Sequence, residues 1–187
     1  METIKEVLQE TESRMKKIIE KTKKDFGTIR TGRANPSILE RVMVECYGSM
    51  MPINQVANIS APEPRMIVVQ PWDKTILNDV EKAILKADLG LNPSNDGSII
   101  RLAIPQLTEE RRKELVRLLK KDAEEKRISV RNIRRDANDI LKKMEKDGVL
   151  SEDDSKKGLD QVQDITDKYI EEIDQLMSNK EEEIMEV

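Results

Sequence analysis

One helical pattern, about forty residues long, limits what this chain can become. It begins after Pro105, where Thr108 is a good N-cap and Glu109 and Glu110 occupy the first turn, the end of a helix that favours anions. It continues through Leu115, Leu118, Leu119, Ala123, Val130, Ile133, Ala137, Ile140, Leu141 and Met144, and stops at Asp147-Gly148. At 1.5 Å per residue such a helix is about 60 Å long. That is too long for a compact globule, so its apolar stripe must be covered by other long helices.

The chain supplies two. From Glu2 to Ile29, apolar residues recur at Ile4, Leu8, Met15, Ile18, Ile19, Phe26 and Ile29, with Thr11 and Thr22 filling the gaps. Steps alternating between three and four are those of a helix packed along a seam. Its end is expected near Arg30, because Thr31-Gly32 breaks the pattern and Asn35-Pro36 prevents its continuation. The last helix starts at a box-like Ser151 to Asp154 and carries Val162, Ile165, Tyr169, Ile173, Leu176 and Ile184.

Residues 34–104 have another character. Arg41 to Tyr47 alternates and is β-branched, and Gly48 closes it with a turn. A short extended piece near Met51–Ile53 follows, then strands over 57–61 and 66–70 around Pro62 and Pro64. A helix is expected over 78–87, stopped by Gly90, and a closing strand over 98–104. The fold class is therefore α+β: an elongated antiparallel three-helix bundle from residues 1–30 and 106–187, with a small β/α/β domain inserted at 31–105. Two neighbouring strands of chain join them, Thr31, Gly32, Arg33 and Ala34 going out and Ile104, Pro105, Gln106 and Leu107 returning. A joint of this kind permits the domain to swing as a unit; the alternative is a domain packed firmly on the bundle.

Charge points to a partner. The net charge of −4 conceals a basic segment, residues 105–146, with 14 Lys and Arg against 9 Asp and Glu, and an acidic one, residues 147–187, with 4 against 14. One face for a polyanion and another that repels it would have this layout. On a helix at about 100° per residue, Arg127, Arg131 and Arg134 share a narrow sector with Arg135 at its edge. Val130, Ile133 and Ala137 are expected on the far side, for burial. Guanidinium forks grip phosphate bidentately at any working pH. The other reading is a solvated, ion-paired surface, but Asp136 and Asp139, the acids able to compensate, lie off the centre of the stripe. Nucleic acid is the expected polyanion. With only Phe26, Tyr47, Trp72 and Tyr169 aromatic, folded backbone and not splayed bases should be its target.

The chemistry that is missing narrows the function further. The chain has no histidine, no GxxxxGK[ST] loop and no GxGxxG, and Asn92–Ala103 resembles a calcium loop only in its Asn-Asp-Gly. A non-enzyme without metal, cofactor or small-molecule substrate is expected. The single Cys46 reads as a buried thiol in a reducing compartment. Without a leader or an apolar run long enough to span a bilayer, the expected location is the cytoplasm and no membrane is involved. A seam satisfied within one chain favours a monomer. A coiled-coil adaptor that binds partner helices, or a general RNA chaperone, remains the alternative.

Several long motifs in order resemble bacterial ribosome recycling factors over essentially the whole length: Ile29 to Ala34, Val80 to Ile84, Asp88 to Pro93, Leu107 to Arg112 and, most tellingly, Val130 to Asp139. The resemblance implies a three-helix bundle hinged to a β/α/β domain in an L of about tRNA size. It implies action after termination: binding to the large ribosomal subunit and its rRNA and, with elongation factor G and GTP hydrolysis by that partner, splitting the ribosome into subunits. The family's key arginines fall on Arg131 and Arg134; Arg30 and Arg33 match further basic positions expected near RNA. The second domain and the hinge are expected to meet elongation factor G.

Overall fold

The computed structural model of the chain describes residues 3–186. Residues 1, 2 and 187, which the sequence assigns to the bundle, lie outside the described residues. The chain divides into two compact units, one from the residues up to Ile29 with Glu109–Met185, the other from Arg30–Thr108 with the extreme C-terminus.

Three helices make the first unit, α1 (Ile4–Gly27), α3 (Glu109–Lys146) and α4 (Glu152–Met185); the second unit carries the helix α2 (Leu77–Lys86). A capping box, to which the apolar periodicity gives no clue, starts α1: the Thr3 N–H donates to Glu6 Oε2 at 2.9 Å, and the Glu6 N–H donates to Thr3 Oγ1 at 3.2 Å. The helix ends at Gly27, three residues before Arg30, because Thr28 turns its N–H onto the Asp25 and Phe26 carbonyls. Asp154 N–H donates to Ser151 Oγ at 3.0 Å and so opens α4. The turn between α3 and α4 uses Gly148 at φ +73°, a conformation costly for a residue with a Cβ.

Side-chain contacts fix how the three helices run. Arg14 meets Asp136 and Asp25 meets Lys126, so α1 and α3 are antiparallel. Arg127 meets Asp174 and Lys120 meets Glu181, so α3 and α4 are antiparallel too. Tyr169 donates to Glu12 at 3.0 Å, placing α4 parallel to α1. Burial and that carboxylate push the Tyr169 phenol up to about 12. Leu119, Ala123, Val130, Leu141, Val162, Ile173 and Ile184 form the apolar interior with Val7, Met15, Ile19 and Phe26. Two expectations need correction. Leu118 belongs to the periodic pattern yet is 56% exposed, because Leu119 takes the seam position and Leu118, about 100° away around the helix, falls outside it. Val7, absent from the expected stripe, is buried at 3%, with Leu8 packed beside its cluster.

The buried threonines have a simple physical account. Thr11, Thr22 and Thr166 each donate their hydroxyl to the carbonyl four residues earlier, at 2.7, 2.7 and 2.8 Å. Their remaining surface is a methyl group, so they fill a seam as a valine would. At Gly158 the packing is tighter still. An added Cβ would stand 3.1 Å from Leu141 Cδ1, so a side chain here would force Leu141 to shift by a few tenths of an ångström.

In the second unit, β1 (Met43–Cys46) and β2 (Ser49–Pro52) pair as a hairpin, turning at Tyr47 and Gly48, both with positive φ. A second sheet contains β3 (Ala57–Glu63), β4 (Met66–Pro71), β5 (Pro93–Asn95) and β6 (Ile100–Ala103) in the order β3-β4-β6-β5, all antiparallel. The sequence does not announce β5, since turn residues surround its three positions. β3 also runs past Pro62, absorbing the irregularity as a shift of register between Ser60 and Glu63. Val80 and Ile84 of α2 join Ile67, Val69, Ile100, Leu102, Val44 and Ile53 in one core.

Candidate nucleic-acid interface

The candidate interface is the Arg-bearing side of α3. Val130, Ile133 and Ala137 are buried, as a packed face requires. The arginines do not lie opposite them. Arg127 and Arg134 both reach residues of α4, so the stripe runs along the edge of the α3–α4 contact. This corrects the expected geometry: at about 100° per residue Arg134 stands only about 40° around the helix from Val130, so the two sets are adjacent and not opposite.

The four side chains differ in how far they are committed. Arg127 is the most tied: Nε donates to Asp174 Oδ1 at 2.7 Å, Nη2 lies 2.6 Å from the same oxygen, and Nη1 lies 3.1 Å from Glu124 Oε2. Its side chain is 17% exposed. Burial works against its charge, but Asp174 and Glu124 outweigh that and raise its pKa. Arg131 is looser, 3.4 Å from Glu124 Oε1 and 38% exposed. Arg134 meets no carboxylate among the described residues; its Nη1 donates to the neutral Gln163 Oε1 at 3.4 Å. Arg135 is exposed.

Asp136 and Asp139 are therefore not the acids that matter to the stripe. Asp136 turns to α1 and pairs with Arg14 at 2.9 Å. The compensating carboxylates are Glu124, one and two turns back on the same helix, and Asp174 from α4. A Glu at i−3 was open to inspection in the sequence; an acid 47 residues away was not. The acidic α4 does not simply repel anions from this surface. It also helps to hold the arginines there.

Arg30 and Arg33 belong to the second unit. Arg30 Nη1 donates to the Leu89 carbonyl at 2.8 Å. Arg33 pairs with Glu186 at 3.0 Å. The segments expected to form a joint lie side by side: a Cβ added at Gly32 would stand 3.9 Å from Leu107, Ala34 N–H donates to the Pro64 carbonyl, and Ile104 N–H donates to the Arg65 carbonyl at 2.8 Å. The Arg33 N–H adds a bond to Thr31 Oγ1 at 3.3 Å, while Pro105 and Gln106 are exposed. Both segments are thus anchored on the turn between β3 and β4.

Among the described residues no group of acids, Cys or His could hold a metal ion, and no helix is long and apolar enough to cross a membrane.

The architecture is a three-helix bundle with a guanidinium stripe beside one helix contact, together with a small α+β unit. Comparison with known proteins gives the lineage. The family model described as Ribosome recycling factor matches residues 22–185. The ribosome-recycling factor of Syntrophomonas wolfei is 61% identical over 184 residues, covering 98% of this chain and 100% of the relative; that of Carboxydothermus hydrogenoformans is 58% identical over the same shares. A solution structure of the ribosome recycling factor superposes with a TM-score of 0.77 at 45% identity, covering both chains fully. A second similar structure, at 50% identity and TM-score 0.65, covers 98% of this chain and 100% of that one. It comes from models for the T. thermophilus ribosome recycling factor and the E. coli elongation factor G bound to the E. coli post-termination complex. The chain belongs to the ribosome recycling factor family, whose members are translation factors and not enzymes.

Proposed function

We propose that this protein, in the cytoplasm and as a monomer, binds rRNA of the large ribosomal subunit through Arg131, Arg134 and Arg135, with Arg127 bracing the stripe from within. Arg30 and Arg33 give further basic contacts. Together with elongation factor G, which hydrolyses the GTP, it splits the post-termination complex and frees ribosomes for new initiation. The chain needs no small-molecule substrate for this, since the energy comes from the partner. Residues 31–34 and 104–107 act as a hinge on which the small domain swings, giving an L of about tRNA size, and this end of the molecule meets elongation factor G.

The observation that carries the reading is the gradient along α3, from Arg127 with two carboxylates to Arg134 with none. Guanidinium groups without carboxylates at a surface edge favour phosphate, and backbone contacts of this kind position a protein without reading sequence. A relative placed with elongation factor G on a post-termination complex supports the choice of partners.

Sedimentation of the protein with large subunits, beside an unrelated structured RNA, tests it. Arg134→Ala should weaken large-subunit binding about tenfold and slow subunit dissociation in proportion. Wild-type affinity should fall by roughly 0.7–0.9 log units per log unit of salt for each phosphate neutralised. Unchanged affinity in the variant, or a flat salt response, removes the electrostatic docking; equal binding to the control RNA makes the protein a general RNA binder instead.

A further inference from the structure

A long arginine side chain on an open surface samples many rotamers, and only some of them point the fork outward along the helix edge. Arg134 is restrained from the neighbouring helix. Its Nη1 donates to Gln163 Oε1 at 3.4 Å, while Gln163 Nε2 donates to Asp167 Oδ1 at 2.8 Å, one turn further along α4. The second bond sets the first. With its NH2 group held by Asp167, the amide can only turn its carbonyl to Arg134; a flipped amide would face donor to donor and acceptor to acceptor.

This differs from the restraint on Arg127, where carboxylates touch the guanidinium directly and neutralise it. At Arg134 the carboxylate is one residue removed. The neutral amide occupies one of five guanidinium N–H groups, and four remain for an incoming phosphate with the full positive charge intact. A carboxylate in the same place would hold the side chain as well but would compete with the ligand.

We infer that Gln163, oriented by Asp167, is a positioning residue for Arg134, so that α4 shares in building the RNA-binding face of α3. This rests on the function proposed above and assigns work to a helix whose net acidity argues against contact with RNA.

The test measures large-subunit affinity across a salt series, with thermal melting as a control, for Gln163→Leu, Gln163→Glu, Arg134→Ala and the double variant Gln163→Leu/Arg134→Ala. Gln163→Leu, which keeps the size and removes the acceptor, should weaken binding roughly threefold to tenfold with its salt slope unchanged. Gln163→Glu should lower the slope by about one phosphate contact. The double variant should bind as Arg134→Ala does alone, because Gln163 acts only through that arginine. Additive losses in the double variant, or wild-type binding by Gln163→Leu while Arg134→Ala is impaired, overturn the positioning role and leave the proposed function standing. Wild-type binding by Arg134→Ala removes the proposed site itself.

Discussion

In the bundle, Thr11, Thr22, Lys126, Ser155 and Thr166 are buried, whereas every buried residue of the sheet unit among the described ones is apolar. The aromatics divide the opposite way. Phe26 and Tyr169 are buried in the bundle; Tyr47 and Trp72, in the sheet unit, are 78% and 68% exposed. The helix accommodates Thr11, Thr22 and Thr166 in the seam because the carbonyl at i−4 is within reach of a hydroxyl and accepts a second hydrogen bond, and Lys126 because Asp25 and Asp122 face it. In a sheet the side chains of the inner face stand away from the peptide groups, so a polar group there must find a side-chain partner or go unpaired. The bundle can therefore encode specific pairings inside itself, while the sheet unit encodes little but shape.

That contrast can be tested at three strengths. The largest effect should come from Leu141→Ala, a fully buried residue packed against Gly158, costing about 2–5 kcal/mol. If the two units are stabilised separately, amide exchange should accelerate in α1, α3 and α4 and stay unchanged in β3, β4 and β6. Equal acceleration in the sheet would break the division into units.

Lys126→Ala should follow, at about 2 kcal/mol. The lysine side chain is 10% exposed and lies 2.6 Å from Asp25 of α1 and 3.4 Å from Asp122. The carboxylates are more exposed than the lysine, so water takes up part of their loss and the cost falls below that of a fully buried pair. The hydrogen bond from Lys126 holds Asp25 below its ordinary value of 3.8, giving stability that is present above that value and lost as pH falls through the lowered one. Burial opposes the charge of Lys126, yet its bond to Asp25 and the charge of Asp122 prevail and hold it above 10.5, so its contribution is complete below that pH and lost on going higher. Denaturant melts from pH 2 to 12 should show both limbs shrinking in the variant. An unchanged profile would mean that the triad does not set the register of α1 on α3.

Smallest of all should be Trp72→Ala, within about 0.5 kcal/mol of wild type by chemical denaturation. A larger loss would show that the exposed ring supports the sheet unit's core.

The sequence carried the long helix α3 almost to the residue, because its periodicity, its acidic first turn and its Asp147-Gly148 stop are local signals. The sheet unit was legible in outline and not in detail. β5 has three residues, begins with Pro93 and exists only because β6 is there to pair with it. The arginine stripe was legible as a spacing, but its chemistry was not. Glu124 lay within reach on the same helix, whereas Asp174, Gln163 and Asp167 belong to α4 and become neighbours only when two antiparallel helices settle in one register.

What the chain's own order of residues determined is every feature that depends on neighbours within about four positions: the helices, their caps, and the clustering of Arg127, Arg131 and Arg134 on one sector. Only the tertiary structure decided which of those arginines is neutralised, which is held by a neutral amide and where the Lys126 charge is matched. The reason is physical: a guanidinium's partners are set by distances of about 3 Å across a helix contact, and nothing in a linear pattern records how far one helix has slid along another.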